Sequence, residues 1–251
     1  MDTDRAHPKS SAYRAAPARK RSWETVLDFE FTKMAAHNFK TAGDGTHTID
    51  GASVVVSGSV KASALAISSG GLQWTRNATG YTRLGIDVAA LYTGWAATDV
   101  FRVLMFFPAS QTFAAGDNLG LDISAQSGTP SSNNLSFTAQ QVYATAAKVR
   151  TNQYYGGSWG TNVDVAATPT WMAWRVSGVS AALYRSTGAV STVPDLGDMT
   201  LGANLHHKSG VNTTDGWGGN NRYAKIGFNS SNSGRQYTVT RLVIERLQEE
   251  F

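Results

Sequence analysis

The chain of 251 residues contains no cysteine, which removes disulfides, thiolate metal sites and cysteine nucleophiles together, and by itself says nothing about compartment. Charge is also scarce. Asp, Glu, Lys and Arg make up 16% of the residues, against about a quarter in an average soluble chain, so coiled coils and helical repeats are unexpected. No run approaches the ~20 apolar residues of a membrane span; the greasiest, residues 100–107, is broken by Arg102. The opening residues are basic but lack the core of roughly 7 to 15 apolar residues that marks a secretory signal. There is no Gly-x-x-x-x-Gly-Lys loop, no dinucleotide fingerprint and no internal repeat, which sets nucleotide chemistry aside.

What is present points to short strands and many turns. Glycine is abundant, with 25 residues, alongside Ser, Thr and Asn, a composition suited to tight connections. The formal net charge of +4 lies wholly in residues 1–23, where Arg5, Lys9, Arg14, Arg19, Lys20 and Arg21 face only Asp2 and Asp4. Residues 24–251 are neutral overall and carry no field to hold a nucleic-acid backbone. The expected organisation is a flexible basic N-terminal arm, 1–23, and a single β-sandwich domain, 24–251. In the arm, Arg14, Arg19, Lys20, Arg21 and Trp23 are the candidate assembly residues. Docking to an acidic protein surface suits them better than nucleic acid.

From residue 25 onward the hydrophobic pattern has the period of strands. Leu27, Phe29 and Phe31 alternate with Asp28, Glu30 and Thr32, giving one buried and one wet face, although Leu27, Phe31, Met34 and Ala35 also fit a helix over 24–40. A Gly/Asp-rich turn spans 43–51. Strands are expected at 52–60, 72–75, 81–87, 100–107, 119–124, 135–138 and 141–145, with 100–107 central and covered on both faces. Residues 170–188 read as two strands joined by a tight turn at Ser177 and Gly178. Trp171 and Trp174 should therefore face opposite ways. A strand at 199–205, a polar loop at 206–221 and strands at 222–228 and 235–247 complete a sandwich of about twelve to fifteen strands.

The order of LDFEF (27–31), WMAWRVSGVSAALYRSTG (171–188), MTLGANL (199–205), RYAKIGF (222–228) and YTVTRLVIER (237–246) resembles the concanavalin A-like lectin and glucanase jelly roll, including its laminin-G-like branch. The resemblance implies an all-β jelly-roll sandwich whose last strand lies near its first. Members include lectins, glycoside hydrolases, adhesion modules and bacteriophage virion proteins. With no cysteine, no secretory signal and a basic arm before one β body, the chain is similar to the virion group. That implies a non-enzymatic structural component of a virion, such as a capsid decoration, collar, tail or fibre protein. Its partners would be other virion proteins and itself, in a closed homo-oligomer such as a trimer. Its location would be the virion, assembled in the host cytoplasm.

Candidate sites follow from residue chemistry. Hydrolases of this fold place an acid and a nucleophile on one strand face; Glu24, Asp28 and Glu30 depart from that spacing and read as solvated strand charges. No catalytic residue is assigned. Asp195 and Asp198 suit a turn. His7, His37, His47, His206 and His207 do not converge as zinc requires. Asp44, Asp50 and Asp215 sit beside glycines and suit turns better than calcium. No cofactor or metal is expected. The aromatic loops 152–162 and 213–223 offer Tyr154, Tyr155, Trp159, Trp217, Asn220 and Tyr223 either to a neighbouring subunit or to a cell-surface glycan. Asn-x-Ser/Thr triplets at Asn77, Asn134, Asn212 and Asn229 read as chance in a Ser/Thr-rich chain without a secretory signal.

Overall fold

The computed structural model describes residues 20–42, 45–58, 64–76, 81–92, 94, 99–114, 116–124, 139–145, 148–155, 158–159, 163–165, 171–177, 180–185, 206–208, 223–230 and 234–250. In chain order the elements are β1 (Lys20–Glu30), β2 (His37–Asn38), α1 (Phe39–Ala42), β3 (Gly45–Ile49), β4 (Ala52–Gly58), β5 (Leu65–Ser68), β6 (Gly71–Thr75) and β7 (Tyr81–Asp87). Next come α2 (Val88–Leu91), β8 (Val100–Phe106), β9 (Asp117–Ser124), β10 (Ala139–Thr145), β11 (Lys148–Tyr155), β12 (Ser158–Trp159) and β13 (Val163–Val165). The last are β14 (Trp171–Ser177), β15 (Ser180–Arg185), β16 (His206–Lys208), β17 (Tyr223–Ser230), β18 (Gln236–Val239) and β19 (Arg241–Glu250).

These strands build three antiparallel sheets. A six-stranded sheet runs β1-β19-β8-β14-β15-β16, a nine-stranded sheet runs β12-β11-β10-β9-β17-β7-β4-β3 with β13 beside β11, and a four-stranded sheet runs β18-β6-β5-β2. The first strand pairs with the last along its whole length, from Lys20 opposite Glu250 to Glu30 opposite Arg241. The protein is thus an all-β jelly-roll sandwich whose first and last described strands are neighbours.

Alternation makes the core. Leu27, Phe29, Val103, Met105, Met172, Trp174, Leu242 and Ile244 of the six-stranded sheet share one buried cluster with Val54, Val56, Leu84, Ile86, Leu119, Leu121, Ala224, Ile226 and Phe228 of the nine-stranded sheet. Trp174 Nε1 donates to the carbonyl of Leu121 at 2.7 Å, a direct polar tie between the two sheets. Trp171 faces the other way, in a second cluster with Leu104, Ala173 and Val243. Strand β8 is therefore apolar on both faces, as a central strand should be. The small sheet is held by ring stacking: Trp74 of β6 lies 5.4 Å from Tyr237 of β18 and 6.0 Å from Phe228 of β17.

Several expectations change. The strand opening the body begins at Lys20, so Lys20, Arg21 and Trp23 belong to the sheet and not to an arm; Arg21 lies opposite Glu249 and Trp23 opposite Leu247. Over 24–40 the backbone is strand to Glu30, and helix is confined to Phe39–Ala42. The turn expected over 43–51 narrows to Asp50 and Gly51, whose positive φ values of 48° and 79° close the β3–β4 hairpin. The run 235–247 splits at Thr240 into strands of two different sheets, and the expected loop 206–221 opens with strand β16. The expected strands at 135–138 and 199–205 lie outside the described residues.

Candidate functional site

Directly opposed residues of an antiparallel ladder share a face, so register fixes which positions line up across the nine-stranded sheet. One row runs from Val55 to Gly85, Lys225, Asp122, Ala139, Tyr154 and Trp159, crossing β4, β7, β17, β9, β10, β11 and β12. Its neighbours Leu84, Ile86, Ala224, Ile226 and Leu121 point into the core, which places Val55, Gly85 and Lys225 on the opposite face of their strands. The adjacent row holds Arg83, Gly227, Gly120, Gln141 and Asn152. Tyr223 is two residues from Lys225 along β17, opposite Asp87 and Ser124.

Of the residues singled out in the sequence, Tyr154 and Tyr155 lie on β11, Trp159 on β12 and Tyr223 on β17. Tyr154 and Trp159 are directly paired across β11 and β12, and Tyr155 pairs with Ser158. Tyr223 lies three strands from Tyr154, about 14 Å at the usual spacing, so a single small ligand does not span both. Trp217, Asn220, Arg14 and Arg19 lie outside the described residues, as do Asp44, Asp195, Asp198, Asp215 and His7. Lys225, which sequence reading passed over, is 1% exposed in the middle of this row.

A second feature lies where β1 ends. Asp28, Glu30, Lys33, Met34, Ala35, Ala36, His37, Thr48, Ile49 and Asp50 line an open cleft of about 390 Å3. Two of its three carboxylates, Asp28 and Glu30, are held by cations. Arg241 grips Asp28 through Nε at 2.8 Å and Nη2 at 2.6 Å, and Lys33 sits 2.9 Å from Glu30. Glu24 accepts a hydrogen bond from Gln248. A bulge between Thr25 and Leu27 shifts the register, so that Glu24 sits opposite Arg246. Asp28 and Glu30 therefore share one face of β1 and Glu24 takes the other. Asp50 does what an Asp-Gly pair usually does, supplying a left-handed turn residue. Among the described residues no group of three His, Asp or Glu side chains is placed to hold a metal ion.

The outer face of the six-stranded sheet carries the residues that tie the chain start to the body. The Trp23 ring lies 4.2 Å from the Arg102 guanidinium, and Arg102 pairs with Glu245 from β19. Both partners are largely shielded, with side chains 5% and 12% exposed, so the pair is stronger than a surface bridge but bears a desolvation cost. Arg246 binds Asp99 at 3.0 Å and the Tyr92 hydroxyl at 2.8 Å. Hydrogen bonding to Asp99 is the main reason its guanidinium is held even more firmly protonated than usual.

No protein-family model and no curated protein matches the chain. Solved structures do. The CBM2 module of the evolved Dit protein of Lactobacillus casei BL23 phage J-1 superposes with a TM-score of 0.49 at 8% identity, over 92% of this chain and 99% of that one. Lectin II from Ulex europaeus superposes with a TM-score of 0.45 at 12% identity, over 91% of this chain and 100% of that one. A carbohydrate esterase of the Shiga toxin-encoding bacteriophage phi24B gives 0.41 at 11% identity, over 89% and 99%. Among the described residues no helix is long and apolar enough to cross a membrane.

Proposed function

We propose that this chain is a non-enzymatic structural component of a bacteriophage virion, holding neighbouring subunits through its β body and its basic N-terminal segment. The observation that carries the reading is the course of β1. It is the edge strand of the six-stranded sheet and is matched at its start by acids, Lys20 to Glu250 and Arg21 to Glu249. Residues 1–19 precede β1 in the sequence and, with Arg5, Lys9, Arg14 and Arg19 against two aspartates, would supply salt-sensitive attraction to an acidic partner. The engagement of Asp28 and Glu30 by Arg241 and Lys33 supports a binding role over hydrolysis.

A chain starting at Lys20 keeps the whole of β1 and should unfold as the full chain does. It should be missing from particles assembled in its presence; normal incorporation overturns the reading. A second reading, carbohydrate or receptor binding, is favoured by the direct strand pairing of Tyr154 with Trp159 in the nine-stranded sheet. Aromatic rings there offer stacking surfaces to sugars. A glycan-array signal lost in Trp159→Ala supports that reading, and an array without signal for the wild-type chain removes it.

A further inference from the structure

Strands β2 and β3 belong to different sheets, and three rings close the seam between them. His37 of β2, Phe39 of α1 and His47 of β3 meet edge to face, with centroids 4.5 Å apart for His37 and Phe39, 5.0 Å for Phe39 and His47, and 5.5 Å for the two histidines. Phe39 is fully buried and His47 is 8% exposed. Nε2 of each histidine is shielded from solvent and has no hydrogen-bond partner. An imidazolium has two N–H donors to satisfy, and two imidazoliums at this separation repel strongly where water is excluded.

The surroundings offer little relief. From β1 and the turn after it, Asp28, Glu30 and Lys33 line the cleft that His37 also lines, and Asp50 enters from the β3–β4 turn. Asp28 is held by Arg241, and Glu30 by Lys33. Strand β5 sets only Ile67 and Ala66 against His37 and Asn38, and α1 adds a further cation, Lys40. Burial, and secondarily the nearness of His47, hold His37 below the usual imidazole value.

We propose that His37 and His47 form a pH-sensitive latch across this seam. With His37 neutral, the two rings pack on Phe39 and keep the β2–α1 segment against β3; once His37 is protonated, the rings separate and open the wall of the cleft lined by His37 and Asp50. The sign follows from linkage. A histidine whose folded-state value is depressed stabilises the closed form fully above the free imidazole value, and that contribution is lost as pH falls through the window below it.

Amide hydrogen exchange on the full chain tests this, with rates corrected for intrinsic chemistry and compared at about pH 7.5 and about pH 5. Opening within residues 37–49 should rise about tenfold for each unit by which the folded-state value is depressed, while β8 and β17 keep their protection. His47→Phe, which keeps an aromatic ring and cannot charge, should flatten this dependence. Should that variant fail to fold, NMR titration of the wild-type imidazoles gives the same decision without a substitution. Equal protection of residues 37–49 at both pH values, or His37 titrating at or above the free imidazole value, overturns the latch.

Discussion

Asp117 is fully buried, and its position is tolerable only because donors surround it. It accepts from the Ala114 amide at 2.7 Å, the Ser230 hydroxyl at 2.7 Å and Arg235 Nε at 2.9 Å. Asp117→Asn keeps the shape but strips Arg235 of its counter-charge, and should cost about 2–4 kcal/mol in urea unfolding. Gly71 is equally constrained, by space. At φ +118° it would place a Cβ only 2.5 Å from the Val239 carbonyl oxygen, so Gly71→Ala should lower stability by more than about 2 kcal/mol. Sequence patterning resolves residues only where face decides the outcome: Trp171 and Trp174 part to opposite faces as their spacing requires. It does not reveal which neighbour a side chain meets. His47 alternates inward with Ile49 in Thr-His-Thr-Ile, a legible sign of burial, but its contact with His37 depends on the meeting of two sheets. Trp23 reads as part of an arm until Arg102, distant in sequence, is brought beneath it.

Elements were legible where alternation and turn residues agree. Strand β7 and the β14–β15 hairpin fall where the pattern puts them, with Ser177 opposite Ser180. The short strands β2, β5, β12 and β13 carry too few residues to register a period, and their pairing comes from the sheets they join. The split of 235–247 has a visible cause only in three dimensions: the Thr240 amide is taken by the Phe106 carbonyl at 2.8 Å, where the chain passes from the four-stranded sheet to the six-stranded one. The β3–β4 turn gives a test at this scale. Asp50 and Gly51 both have positive φ, as a two-residue hairpin turn demands. Gly51→Ala should therefore cost about 1 kcal/mol in chemical denaturation, while Asp50→Gly should change stability by only a few tenths of a kcal/mol.

At the scale of the whole molecule, the strand order and the pairing of first with last strand support the fold expected from sequence, whereas the aromatic loop residues are only partly gathered: Tyr154 and Trp159 adjoin, and Tyr223 stands three strands away. Charge is the property that most separates body from N-terminal segment, and association driven by it should weaken as salt rises from about 0.05 M to about 0.5 M, where the screening length shrinks to a few ångströms. The most direct measurement is the solution mass, by size-exclusion chromatography with light scattering, of the full chain beside one starting at Lys20. The account predicts a defined oligomer for the full chain and a folded monomer for the shortened one. Folded monomers from both would contradict it.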